Sequence, residues 1–250
     1  MLTVAILTHN DESRIKHCLK FINFSDEVLI VDDFSTDNTV KVARELKARV
    51  IEQKLDNDFG AQRNRLLEQA RGEWVLFIDS DEEVTTELAN EIKDTLKEPK
   101  YDVYFIKRQD FFWNKPIMHG EVSKARKNGF IRLIKKGSGT WKGTVHEEFI
   151  TNKTVGQLIH SIHHYPHQTV SEFLQHVNFY STLRAQELHK QKVKASIFSI
   201  ITLPLAKFLY TFFVKQGFRD GAAGFVYSFM MSFHSFLVRS KLYQYQHINT

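Results

Sequence analysis

Four apolar runs, each followed by a polar turn and then by apolar residues at helical spacing, organise the first hundred positions of the chain. Residues 2–7, 27–31, 49–52 and 74–78 read as strands, and 11–21, 37–46, 59–70 and 85–96 as the intervening helices. Asp37 is placed to cap the second helix, Gly72 to end the third and Pro99 to close the fourth. This strand–helix rhythm predicts a Rossmann-like, mostly parallel sheet with helices on both faces. After Tyr101 the pattern shifts to shorter strands at 101–107, 130–134, 147–150 and 157–163. From about Val170 onward it is helical, with a polar amphipathic helix over 170–190 and two much more apolar ones over 195–215 and 220–242. An α/β domain over 1–168 followed by a helical region over 169–250 is therefore expected.

The two apolar helices invite a membrane interpretation. Pro204 and Lys207 interrupt the first, and Ser199, Thr202, Lys207 and Thr211 share one half of its wheel, which suits a helix lying flat. In the second, Phe218, Phe225, Phe229, Phe233 and Phe236 fall on one stripe. Charge sharpens the choice. The net charge is +5, yet nine basic and two acidic residues from Arg184 onward put the positive excess in the tail. Those helices either pack on each other or on a second subunit, or seat on an anionic membrane surface. A nucleic-acid binder would spread its basic residues through the fold. Ordinary hydrophobic (42%) and charged (25%) fractions exclude wholesale disorder. The single cysteine, Cys18, excludes a disulfide framework and lies in a core helical pattern with Ile15, Leu19 and Ile22. The run at 2–7 is too short for a secretory signal, so a cytoplasmic location is expected, with docking on a membrane's cytoplasmic face as its peripheral form.

Candidate chemistry collects where the strands end. The run Val75-Leu76-Phe77-Ile78 leads into Asp79-Ser80-Asp81-Glu82, which places two carboxylates at the carboxyl edge of the sheet, where open α/β sheets bind ligands. Such a pair is a hard oxygen site for Mg²⁺ or Mn²⁺, the usual partner of a diphosphate. The first strand ends in Thr8-His9-Asn10-Asp11-Glu12 and the second in Asp32-Asp33-Phe34-Ser35-Thr36-Asp37, bordering a crevice suited to a nucleotide. Asp32 is expected on the ligand and Asp37 as a cap. Neither a Gly-x-Gly-x-x-Gly turn after the first strand nor a Walker loop occurs, which excludes the common dinucleotide and P-loop readings.

The segments Val4 to Asn10, Val31-Asp32-Asp33-Phe34-Ser35-Thr36-Asp37-Asn38-Thr39, Gly60-Ala61-Gln62-Arg63-Asn64 and Phe77 to Glu83, in this order and spacing, resemble a family 2 glycosyltransferase with a GT-A fold. Trp141-Lys142-Gly143-Thr144-Val145-His146-Glu147-Glu148 resembles an element of a bacterial subgroup that includes the lipopolysaccharide-core β-glucosyltransferases and, more distantly, peptide S-glycosyltransferases. The resemblance implies a nucleotide-sugar half over 1–100 and an acceptor half over 101–168. It implies that Thr8, Asn10, Glu12 and Asp32 line the nucleobase pocket and that Gln62, Arg63 and Asn64 face the donor. Asp79, Ser80 and Asp81 would flank the metal and the ribose, with Asp81 the stronger metal ligand. Glu82 and Glu83 are expected at a solvated helix start.

Glu147 is the candidate general base. His146 either shares that work, ligates the metal or steers the diphosphate, and the plain alternative leaves both in an exposed loop. Trp141 offers a sugar platform or simple packing. His160, His163, His164 and His167 are expected to line the acceptor side rather than to hold zinc. The implied activity is metal-dependent, inverting transfer of a hexose, glucose from UDP-glucose, to a cell-envelope saccharide such as lipopolysaccharide core. Alternatives are a peptide or protein glycosyltransferase, a nucleotidyltransferase, which lacks its glycine-rich basic loop here, and a non-catalytic sugar-nucleotide module.

Overall fold

The computed structural model describes residues 1–56, 58–143 and 147–248. The chain divides into two compact units, Met1–Arg108 with Ala125–His164, and Gln109–Lys124 with Tyr165–Thr250. The second unit thus takes in residues 109–124, which the sequence pattern had left within one domain running to 168.

In the first unit, β1 (Leu2–Thr8), β2 (Glu27–Asp32), β3 (Arg49–Glu52) and β4 (Trp74–Asp79) form a parallel block in the order β3-β2-β1-β4. Helices α1 (Glu12–Cys18), α2 (Thr39–Glu45), α3 (Phe59–Gln69) and α4 (Thr86–Lys97) alternate with these strands. The predicted elements are all present, shifted at their ends by a few residues. Beyond β4 the sheet turns mixed. The strand β8 (Phe130–Lys135) pairs antiparallel with β4, and β6 (Val103–Phe112) antiparallel with β8. The long strand β11 (Val155–His164) follows, and β5 (Glu82–Val84) closes that edge antiparallel to it. Off the main path, β7 (Lys115–Pro116) pairs with β6, while β9 (Thr140–Lys142) and β10 (Glu148–Ile150) form a separate hairpin-like pair.

Burial explains why these segments read as they do. Alternate residues of β1 and β4 serve two cores. Val4, Ile6, Leu76 and Ile78 meet Ile15, Cys18, Leu88 and Ile92 on one face. Ala5, Val75 and Phe77 meet Leu66, Trp141 and Phe149 on the other. Each such side chain contributes about 1.5–3 kcal/mol on full burial, so strands buried on both faces must be apolar throughout. Local signals set the helix starts. Asp58 accepts from the Ala61 amide and Thr85 from the Leu88 amide. Asp37 binds the amide of Thr39 at 2.9 Å just ahead of α2, so it supports that helix from one position outside the N-cap Asn38. Gly72 does not end α3. The helix stops at Gln69, and Gly72 packs its bare Cα against the Thr3 backbone while its amide donates to Thr3 Oγ1 at 2.9 Å.

The second unit is helical. Helix α6 (Val170–Lys190) opens with a reciprocal Thr169–Glu172 capping box. Helix α7 (Ile197–Leu209) continues into a widened π-helical turn at Tyr210–Val214, and α8 (Gly221–His247) runs 27 residues. Short 3-10 turns at Leu19–Phe21, Gly120–Val122 and Gly217–Asp220 and helix α5 (Ser123–Asn128) are the remaining helical segments among the described residues.

Candidate active site

Thr8, Asp32 and Asp79 end three neighbouring parallel strands, and β1 is in register with both of its neighbours at that edge, Thr8 opposite Asp32 and Leu7 opposite Asp79. The loops after β1 and β2 are laced together. The Asn10 side chain accepts from the Thr36 amide at 2.8 Å, the Asn10 amide donates to Ser35 Oγ at 2.8 Å, and the Glu12 amide donates to Asp37 at 3.2 Å. Asn10 adopts a left-handed conformation, φ +53°, one of the few non-glycine residues for which that is ordinary. Asp32 departs from expectation. It is wholly buried, and its two carboxylate oxygens accept from the Ser35 amide (2.7 Å) and hydroxyl (2.5 Å), so it folds the turn rather than facing the crevice.

A chain of alternating charges runs below this rim. Arg132 Nη2 donates to Glu82 Oε1 at 2.7 Å and to Asp79 Oδ2 at 2.9 Å. Arg63 Nη2 reaches the other Asp79 oxygen at 3.2 Å, and Arg63 Nε donates to Glu147 Oε1 at 2.8 Å. Glu82, Arg132, Asp79, Arg63 and Glu147 therefore form one relay. Burial alone would raise the Asp79 pKa, but the guanidiniums of Arg132 and Arg63 outweigh it and hold the carboxyl well below the usual range. Burial pushes the Glu82 carboxyl up, and Arg132 only partly opposes this. The expectation of a solvated helix start at Glu82 is thus wrong. Its side chain is 1% exposed and lies in β5, because Arg132, arriving from β8, gives the carboxylate a buried partner.

Asp81 answers chiefly to a histidine, with Arg14 near enough to favour its charged form as well. Its Oδ2 is 3.5 Å from His164 Nε2, and this imidazole overrides the effect of burial and lowers the carboxyl's pKa. Ser80 spends its hydroxyl on Asp11 at 2.7 Å, whose own carboxyl is raised by burial. Cys18 is a core thiol, as expected, pushed up by burial and by the carboxylates of Glu82, Asp81 and Asp79.

The Gly60–Asn64 segment divides its labour. Gly60 touches the Gly143 carbonyl, an approach no side chain would permit. Asn64 is committed to β9, donating to the Trp141 carbonyl (2.9 Å) and accepting from the Trp141 amide (2.8 Å) and Thr140 hydroxyl (3.0 Å). Gln62 is buried and donates to the Lys54 carbonyl. Both are tied to neighbouring backbone, and Arg63 alone of the three joins the charge relay. Its guanidinium also lies over the rings of Trp141 (5.1 Å) and Phe77 (5.5 Å). Trp141 is a packing residue, wedged between Phe77 and Phe149 with ring centroids 5.4 Å from each. Four buried polar atoms here lack a hydrogen-bond partner: Thr8 Oγ1, Gln62 Oε1, Arg132 Nη1 and Trp141 Nε1. Buried groups of this kind ordinarily have partners, and a polar ligand or water is the usual supplier.

His146 lies outside the described residues. Of the other histidines, His160 binds Glu91 at 2.8 Å and His164 meets Asp81, and both, with His163, lie on β11, the strand expected over 157–163. Arg132 was not anticipated as a site residue, and His164 was expected on the acceptor side rather than beside Asp81. A signal for Arg132 was present, since it is the lone charge inside the apolar run Phe130-Ile131-Arg132-Leu133-Ile134. No comparable signal marks His164, whose meeting with Asp81 depends on β11 pairing with β5.

Carboxylates and arginines thus gather at the carboxyl edge of a mostly parallel α/β sheet, where such sheets bind ligands. The chain belongs to Glycosyl transferase family 2, whose profile matches residues 3–164. An uncharacterized glycosyltransferase of Rickettsia typhi is 33% identical over 256 residues, spanning 96% of this chain and 86% of that one. The lipopolysaccharide core biosynthesis glycosyltransferase LpsC of Rhizobium meliloti is 25% identical, spanning 97% and 92%. A looser likeness is to S. aureus TarS 1-349 in complex with UDP-GlcNAc, with a TM-score of 0.49 and 15% identity over 98% of this chain and 91% of that one.

Proposed function

We propose that the protein transfers a hexose, glucose from UDP-glucose, onto a cell-envelope saccharide of the lipopolysaccharide-core type, with inversion at the anomeric carbon. The observation that carries this reading is the Arg63 bridge, which ties the candidate base Glu147 to Asp79 at the sheet edge. The acceptor class is supported by the likeness to LpsC, whose name states lipopolysaccharide core biosynthesis.

The residues present suit a divalent cation. The guanidiniums of Arg63 and Arg132 are already spent on the carboxylates of Asp79, Glu82 and Glu147, so a cation would be needed to offset the charge of an approaching diphosphate. Asp81 has His164 beside it, so the donors there are a hard oxygen and an imidazole. Among the described residues no three His, Cys, Asp or Glu side chains are placed to hold an ion by themselves, so diphosphate oxygens and water would have to complete its shell. Asp81 would hold Mg²⁺ or Mn²⁺, and the ion would supply positive charge against the departing diphosphate. Asp79 is less suited, since both of its oxygens are engaged by arginine.

Glu147 takes the proton of the acceptor hydroxyl as that oxygen attacks the anomeric carbon and the nucleoside diphosphate leaves from the opposite face. One displacement suffices, so no covalent nucleophile is needed. Arg63 fixes the Glu147 carboxylate, and Arg132 fixes Asp79 from the other side.

The test is a thermal-shift panel of nucleoside diphosphates and their sugars with and without Mn²⁺, followed by turnover of UDP-glucose with a lipopolysaccharide-core acceptor. UDP should stabilise the protein only with the cation, and Asp81→Asn should abolish that dependence. Glu147→Gln should keep the stabilisation and lose about 10²–10⁴ in kcat. Indifference to every nucleotide, or full turnover by Glu147→Gln, would overturn the reading.

A further inference from the structure

We infer that the α7–α8 face is a docking surface for an anionic lipid bilayer, with α7 lying in the plane of the headgroups rather than crossing the membrane. Phe198, Ile201, Leu205, Leu209 and Phe213 recur at spacings of three and four along α7 and its π turn, forming one stripe with each residue 45–75% exposed. Only 11% of the segment Ile197–Val214 is buried. The stripe continues onto α8, where Phe225 packs its ring against Phe208 and Phe212 and remains half exposed beside Phe229. So large and continuous an apolar face is not left to water without a partner.

Charge identifies the partner. Between residues 188 and 248 there are eight lysines and arginines and a single acidic residue, Asp220. Asp220 is itself occupied, accepting from the amides of Met118 and His119. Lys190, Lys192 and Lys194 are exposed just ahead of α7, and Arg219 is exposed just beyond its π turn. A second copy of this chain would bring like charges together around the apolar face. An anionic membrane would meet cations at its headgroups and aromatic rings below them.

Length and composition would allow both Ile197–Val214 and Gly217–His247 to span. The other side of α7 argues for the plane. Pro204 and Thr211 are buried there, and Lys207, the one charge within the helix, donates to Glu121 at 2.8 Å. A crossing orientation would sink that ion pair to mid-bilayer depth, where charged groups are costly. Lying flat, α7 keeps the pair on the side away from lipid and sets both basic ends at one depth.

The experiment is co-sedimentation of the full chain with vesicles of pure phosphatidylcholine and of phosphatidylcholine with about a third phosphatidylglycerol, paired with analytical ultracentrifugation without lipid. Binding should require the anionic lipid, weaken at least tenfold in 0.5 M salt and be released by alkaline carbonate. The paired change Ile201→Glu and Leu205→Glu should abolish it. Lys192→Glu with Lys194→Glu should weaken it at least tenfold. Both variants should keep the wild-type circular dichroism and nucleotide response, since none of the four residues belongs to the site. Equal binding to neutral vesicles, retention after carbonate, or an apolar-face-dependent dimer that ignores vesicles would each overturn the inference.

Discussion

Arg132→Met is the most informative single change the charge relay offers. Arg132 is the ion-pair partner of Glu82, a side chain 1% exposed, whereas Asp79 keeps Arg63 and is one-third open to solvent. Removing the guanidinium strands an ionised carboxylate in the interior, for which the ordinary cost is about 3–5 kcal/mol. Protonation gives Glu82 a cheaper route. From an ordinary value of 4.5, neutralising it costs about 4 kcal/mol at pH 7.5 but only about 1.4 kcal/mol at pH 5.5, at roughly 1.36 kcal/mol per pH unit. Because burial already raises this group in the intact protein, part of that cost is present before the substitution. The expected destabilisation is therefore about 2–4 kcal/mol at pH 7.5, shrinking to about 1 kcal/mol at pH 5.5.

The sign follows from proton binding. The variant's folded state holds a proton on Glu82 that its unfolded state releases above pH 4.5, so its deficit grows with rising pH. Urea unfolding at the two pH values would measure it. Tryptophan fluorescence follows the first unit chiefly through Trp74 and Trp141, and circular dichroism follows the whole chain. The double variant Arg132→Met with Glu82→Leu should recover part of the loss, since an apolar pair of similar volume needs no ion-pair partner, although the Asp79 amide gives up its bond to Glu82. A deficit below about 1 kcal/mol at pH 7.5, a deficit equal at both pH values, or no recovery in the double variant would refute the argument.

Two further outcomes test the frame around the site. A methyl group added by Gly60→Ala would overlap the Gly143 carbonyl oxygen, a backbone atom that cannot swing aside. The variant should lose about 1–3 kcal/mol, read as a lowered Tm, and an unchanged Tm would show that the two backbones separate freely. Glu27 accepts from Thr3 Oγ1 (2.6 Å), the Arg71 amide (2.8 Å) and Arg49 Nε (2.9 Å). Burial alone would raise its pKa, but these bonds together bring it below 4.5. Its stabilisation is complete above pH 4.5 and is lost as pH falls through the folded value. Glu27→Gln should cost about 1–2 kcal/mol at pH 7 and almost nothing at the most acidic pH where the fold persists, and a pH-independent difference in unfolding free energy would contradict this.

Much of the architecture follows from local pattern. The runs at 2–7 and 74–78 could satisfy their apolar residues only as strands covered on both faces, and short polar turns with Thr85 or Asp58 in capping positions start the helices wherever the fold places them. The carboxyl-edge position of Asp79 follows as well, since strand ends and sheet edges are properties of one segment and its neighbours. The roles of Asp32 and Glu82 do not. Each is an acidic residue beside a strand end, and sequence offers no way to tell a carboxylate that folds its own turn from one that meets a ligand. Asp32 is decided by Ser35, three residues away but only once the turn closes. Glu82 is decided by Arg132, fifty positions later, after β8 has paired with β4 and brought a guanidinium to its side. Local preference acts over one helical turn or one strand. Partnering of buried charge is settled by whichever distant side chain the completed sheet carries within hydrogen-bond reach, and only the tertiary structure specifies that.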